Sequence, residues 1–95
     1  MSDETAAILT VRAKTHGPYH LHATITQRLK GIIWSDVGGY ASMNDSQREC
    51  LDMIAHKIGR ILAGDPNHED HWRDLAGYAI LVANELRVPD GKQEA

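Results

Sequence analysis

Lys57 and Arg60 stand three residues apart, and Asp70 and Asp74 stand four apart a little further along the chain. Residues at these separations are neighbours on a helix surface, so two cations and two carboxylates can meet across a turn. Three chemistries are open to such a set. It can form partly exposed ion pairs that only tie two helices together. It can act as a phosphate clamp, with Lys57 and Arg60 gripping phosphate, Asp70 and Asp74 orienting them, and Trp72 or Tyr78 stacking on a base. Or, with Glu49 and Asp52 three apart upstream, the acids can hold Mg²⁺ beside a phosphate, as paired carboxylates on facing helices do in bundles.

These residues need two helices to position them, and residues 44–87 supply the pattern. Leu51, Ile54, Ile58 and Ile61 repeat at three, four and three, while Trp72, Leu75, Ala79, Val82 and Leu86 repeat at three, four, three and four. Both are seams of roughly 3.5-residue period, which predicts two helices in lengthwise contact. Between them Gly64 is read as a left-handed helix stop, Asp65 as the cap of the next helix and Pro66 as part of its first turn. So short a connection implies an antiparallel hairpin. Folded about residues 64 and 65, the hairpin sets Lys57 opposite Trp72, Arg60 opposite Glu69 and Asp52 opposite Gly77. Asp70 and Asp74 then lie level with Lys57 and Arg60, whereas Glu49 and Asp52 sit roughly 5–10 Å further from the turn, which strains a four-carboxylate metal cage.

The rest of the chain is expected to pack on this hairpin. Ser2 can cap a helix over 3–14, with acids in its first turn and Lys14 near its end. Gly17 and Pro18 predict a corner at 15–18. A second helix is expected over 19–33, with Leu21, Ile25, Leu29 and Ile32 on one face. A loop with paired glycines follows, either a plain connector or a movable segment, and Ser42 with Asp45 resembles a capping box before a helix over 44–63. The last helix is expected over 66–87, and 88–95 as a frayed tail. The fold class is all-α, four helices in a single domain of 95 residues.

Composition narrows the function classes. A formal charge of −3 lacks the basic excess of a duplex-binding domain. Cys50 is the one cysteine, which excludes an internal disulfide and suits a reducing compartment; beside Leu51 it reads as an inert helix thiol. No apolar run approaches the ~20 residues that span a bilayer, and the N-terminal order is not that of a secretory signal, so a cytoplasmic protein is expected. His16 with His20, and His68 with His71, have helical spacing, but neither pair has an obvious third ligand for zinc. His56 reads as the outer edge of its seam. Gly77 interrupts an otherwise good helix and is read as permitting close approach of a helix or a ligand. With two Trp, three Tyr and no Phe, the core has few bulky residues. A domain this small buries a modest fraction of its surface, and a homo-oligomer is expected.

ThrHisGly at 15–17, MetIleAlaHisLysIleGlyArgIleLeu at 53–62, GlyAspPro at 64–66 and AspHisTrpArgAspLeuAlaGlyTyrAla at 70–79 together resemble a group of small phage-encoded helical proteins of unassigned function. That resemblance spans most of the chain and implies a phage or prophage origin and the host cytoplasm. More distantly, the Lys and Arg on one helix followed by Asp and Tyr on the next are similar to nucleotide-modification-associated phage domains and to the MazG-like all-α nucleoside triphosphate pyrophosphohydrolases. The second resemblance implies Mg²⁺ held by acidic pairs on neighbouring helices. Glu49 and Asp52 match one pair and Asp74 part of the other, where His71 stands in place of the leading acid.

The sequence therefore leads to one expectation and two rivals. The expectation is a phage accessory protein that binds a nucleotide or nucleotide-like phosphate through Lys57, Arg60, Asp70, Trp72, Asp74 and Tyr78, without strong catalysis, and interferes with host nucleotide metabolism or signalling. The first rival is a divergent Mg²⁺-dependent pyrophosphohydrolase using Glu49, Asp52 and Asp74. The second is a protein-interaction module that inhibits a host defence complex.

Overall fold

The computed structural model describes residues 3–87, which are helical apart from their connections. Helix α1 is Asp3–His16, α2 is Tyr19–Ile33, α3 is Asp45–Ala63 and α4 is Glu69–Leu86, with a single 3₁₀ turn at Tyr40–Ser42. The tail at 88–95 and the Ser2 cap lie outside the described residues. Helix α3 is the centre of the arrangement: α2 and α4 pack along it, and α1 touches it more lightly. Lys57 meets Asp74 and Cys50 meets Tyr78, so numbers rise along α3 as they fall along α4. No helix among the described residues is long and apolar enough to cross a membrane.

The interior is mostly polar. Ala55 and Ile61 are the buried apolar side chains, whereas His22, Thr26, Lys57 and His71 are buried polar ones. The expected face of α2 is displaced by one position, because Leu21 and Ile32 are exposed while His22 and Thr26 face α3. Gly59 explains the shift. A Cβ there would collide with Thr26 Oγ1 and the His22 ring, so the two backbones approach where α3 has no side chain, leaving room for only a short or flat group. Along α4, His71 is sealed at the α3 side with Leu75, Tyr78 and Val82 half-buried beside it. Trp72, Ala79 and Leu86 of the expected seam are exposed. Among the described residues nothing beyond its own helix lies within 4 Å of a Cβ at Gly77, so none of them makes the close approach expected there.

Two connections differ from expectation for local reasons. Gly64 has φ −118° rather than a left-handed value, and it is a glycine because Thr15 and His16 backbone atoms press against its Cα. The left-handed glycine is Gly17, at φ 78°. After Gly64, the Asp65 carboxylate accepts the Asn67 N–H at 2.9 Å, a local turn that competes with helix, so α4 starts at Glu69 with His68 at its cap. Before α3 the cap is Asn44, whose side chain accepts from Gln47 N–H while Gln47 returns the bond; Ser42 instead donates to the Gly39 carbonyl within the 3₁₀ turn. The glycine-containing connection is tied down, since Arg48 donates to the Tyr40 and Ala41 carbonyls and Trp34 Nε1 donates to Asp52 Oδ1 at 3.0 Å.

Among the described residues, Thr26 Oγ1 is a buried polar atom with no hydrogen-bond partner. Thr26→Val keeps the shape and removes an unpaired hydroxyl, and is expected to stabilise the fold by about 1 kcal/mol, raising Tm by roughly 4–8 °C. A lower Tm for the valine variant would show that the hydroxyl is satisfied in solution.

Candidate functional site

Three helix ends converge on a cavity of about 420 Å³ bounded by α1, α2 and α3. Helix α1 contributes Arg12 and His16, four residues apart, and α3 contributes His56 and Arg60 at the same separation. His22 enters from α2, and Tyr19, Leu9 and Pro18 complete the wall. Each helix brings its groups to one face because residues four apart stack on a helix. The corner that aims them is Gly17, where a Cβ would collide with the Ala63 backbone, so the α1–α2 turn lies directly on the end of α3.

The Thr15 carbonyl at the end of α1 has no N–H donor within its own helix. It receives Asp65 N–H at 3.1 Å and His71 Nε2 at 2.7 Å, joining α1 to the α3–α4 turn and to α4. A carbonyl only accepts, so His71 carries its hydrogen on Nε2. By the same reasoning His22 carries its hydrogen on Nε2, which lies 3.1 Å from the His56 carbonyl.

Charge in the cavity is one-sided: among the described residues its wall holds two guanidiniums and three imidazoles and no carboxylate. Burial, then the Arg60 guanidinium, then the neighbouring His71, Lys57 and His68 lower the His16 pKa to about 4. Burial and Arg60, followed by His22, Lys30 and Lys57, lower His56 to about 4 as well. His22 is lowered by burial, which its bond to the His56 carbonyl partly opposes. Burial and the nearby Arg12 pull Arg60 below its ordinary value, while Tyr78 and Asp74 act in the other direction. At neutral pH the cavity thus has two permanent positive charges flanked by neutral imidazoles.

These depressed values carry a stability consequence. Between pH 6.5, the ordinary histidine value, and about 4, the unfolded chain binds protons at His16 and His56 that the folded chain does not. Stability therefore falls as pH drops through that window. Asp74 acts in the same sense at lower pH, because its hydrogen bond from Lys57 lowers its pKa and that contribution is lost on protonation. Urea midpoints measured from neutral pH downwards are expected to decline across the window, and His16→Gln with His56→Gln to flatten the upper part. A midpoint unchanged down to pH 4 contradicts the assignment.

The structure does not gather the six expected ligand-binding residues around one space. Lys57 and Arg60 diverge: Lys57 is 7% exposed, with Nζ 2.7 Å from Asp74 Oδ2, whereas Arg60 lines the cavity. Asp70 lies 3.8 Å from both Arg73 and His68 and is exposed. The Trp72 indole donates to the Pro66 carbonyl at 2.7 Å. Tyr78 lies with Asp74 in a shallow depression on α4 and also borders a groove between α3 and α4. Of the acids considered for Mg²⁺, Glu49 lines that groove, Asp52 accepts from Trp34 and Asp74 pairs with Lys57. Among the described residues, no three His, Cys, Asp or Glu side chains converge to hold a metal ion. Cys50 donates to the Tyr78 carbonyl, and burial pushes its thiol pKa up, away from the reactive thiolate.

The sequence does not by itself join Arg12, His16, Tyr19, His22 and His56 into one site; of these, His16 enters a candidate constellation only as the zinc pair with His20. The signal available was the pair of Arg/His repeats at a spacing of four, Arg12 with His16 and His56 with Arg60. Compared with models of protein families, with curated proteins and with solved structures, the chain matches none of them.

Proposed function

We propose that the protein binds a nucleotide or nucleotide-like phosphate ligand in the cavity between α1, α2 and α3. The observation that carries this reading is the wall itself, lined by Arg12, Arg60, His16, His22 and His56 and, among the described residues, by no carboxylate. Two guanidiniums can hold phosphate oxygens through paired, charge-assisted N–H bonds. Leu9, Ala13 and Pro18 offer an apolar wall, and the 80%-exposed Tyr19 ring stands at the edge where a base could stack. The volume falls in the ordinary range for small-molecule sites, ~300–1,000 Å³. In this reading Lys57 and Asp74 are structural, and they brace the helix that presents Arg60.

The wider role follows the resemblance rather than the geometry: a phage accessory protein acting in the host cytoplasm on nucleotide metabolism or signalling. Self-association is also proposed, supported by the exposed Ile8 and Val11 on α1 and Ile80, Leu81 and Leu86 on α4. Such a density of exposed apolar side chains suits a buried interface better than open water.

Calorimetry against linear and cyclic nucleotides tests the binding. Wild type is expected to bind at least one of them, and Arg12→Ala with Arg60→Ala to abolish the heat. Absence of binding by wild type to every nucleotide in the panel, or unchanged binding by the double variant, overturns the reading.

A further inference from the structure

The cavity's hydrogen-bonding inventory narrows the ligand further. His22 Nε2–H is committed to the His56 carbonyl, and the Cδ2 side of the ring lies against Gly59 of α3. The Nδ1 edge is the one turned away from α3, and in the neutral ring Nδ1 is a bare acceptor. A phosphate oxygen is an acceptor too. The two can meet only if a proton lies between them. With that proton the wall presents three cationic donors, two guanidiniums and one imidazolium, which match the three terminal oxygens of a monoester rather than the two of a diester.

We propose that the site selects a terminal phosphate, a monoester dianion rather than a diester, and that a proton enters the imidazole cluster together with it. This deepens the phosphate-binding reading and rests on it. The groups that face the cluster are mostly cationic or neutral: Arg12 and His16 from α1, Tyr19 and Lys30 from α2, His56, Lys57 and Arg60 from α3, and His68 and His71 from α4. The nearby carboxylate, Asp74, is taken up by Lys57. In the free protein burial, and after it these cationic neighbours, keep the imidazoles uncharged. A dianion among them offsets the guanidinium charge and favours the imidazolium. By linkage, whatever favours protonation when ligand binds also makes lower pH favour ligand.

The test uses the full chain and three probes: adenosine 5′-monophosphate, the 3′,5′-cyclic monophosphate, and sulfate, whose dianionic charge does not change in the working range. Near pH 7.5 the monophosphate is expected to bind about tenfold or more tightly than the cyclic diester, as loss of one charge-assisted contact implies. Sulfate affinity is expected to rise by about three- to tenfold per pH unit on acidification below neutrality, the slope of up to one proton taken up. Imidazole NMR signals report the same event directly, with His22 titrating at higher pH when sulfate is bound. His22→Gln, whose amide nitrogen reaches the position of Nε2 and can still donate to the His56 carbonyl, is expected to flatten the sulfate slope. Equal affinity for monoester and diester, or a sulfate affinity that does not change with pH, overturns this proposal while leaving phosphate binding standing. Failure of every probe to bind overturns the phosphate reading itself.

Discussion

Gly17→Ala is expected to destabilise the protein by about 3 kcal/mol, the sum of a left-handed penalty of ~1–2 and an overpacking cost of ~1–3 kcal/mol. The residue sits at φ 78°, and an added Cβ would run into the backbone carbonyl of Ala63 at the end of α3. Neither problem can be relieved by turning a side chain, because the obstacle is main chain. Native domains are stable by only ~5–15 kcal/mol, so such a loss removes much of what a small domain has. Because Gly17 also lines the cavity, any population that stays folded should have a displaced α1 and weakened phosphate binding. Gly77→Ala is the contrast. With no described atom beyond its own helix within 4 Å of the new methyl, that substitution should stabilise α4 by up to about 1 kcal/mol, unless a second copy of the chain approaches there. Parallel urea unfolding of the two variants checks both directions, and equal effects would contradict the close contact at Gly17.

Arg60→Ala is expected to weaken nucleotide binding by roughly 30-fold or more, since removing one partner of a buried, charge-assisted contact costs about 2–5 kcal/mol. Lys57→Met, only three residues away, should leave affinity within about threefold. The methionine keeps the buried hydrocarbon of Lys57, and the half-exposed Asp74 it leaves behind can be hydrated. The two cations are neighbours on α3 but have different partners, Lys57 the Asp74 carboxylate and Arg60 the cavity. Calorimetric titration of both variants separates these roles. Equal losses would return Lys57 to the site and undo the division between brace and ligand holder.

How far the fold could be read in advance depended on whether its causes were local. Helix α2 occupies 19–33 as expected, because Pro18 starts it and its apolar period is unbroken. The left-handed position and the α4 start were misplaced, because Gly64 is required by the press of Thr15 rather than by its own dihedral, and Asp65 spends its carboxylate on Asn67. The buried faces were harder. An apolar count assigns Leu21 and Ile32 to the inside of α2, yet one glycine at 59 decides the matter for His22 and Thr26. The same limit hid the cavity. Arg12 with His16 and His56 with Arg60 were visible as helical pairs, but their meeting depends on the Gly17 corner lying on the end of α3, a tertiary contact that no local pattern encodes. Lys57 and Asp74 do meet, two positions from the partner that a hairpin folded at 64 and 65 assigns to Lys57, because α4 begins three residues later than expected.

Backbone amide NMR during titration with adenosine 5′-monophosphate tests the central claim, that the arginine- and histidine-lined pocket between the first three helices receives phosphate. The largest shifts are expected at residues 12–22 and 56–60, with the 45–53 and 78–85 stretches, which line the groove between α3 and α4, nearly still. Shifts concentrated in that groove, or none at all at saturating nucleotide, would contradict it.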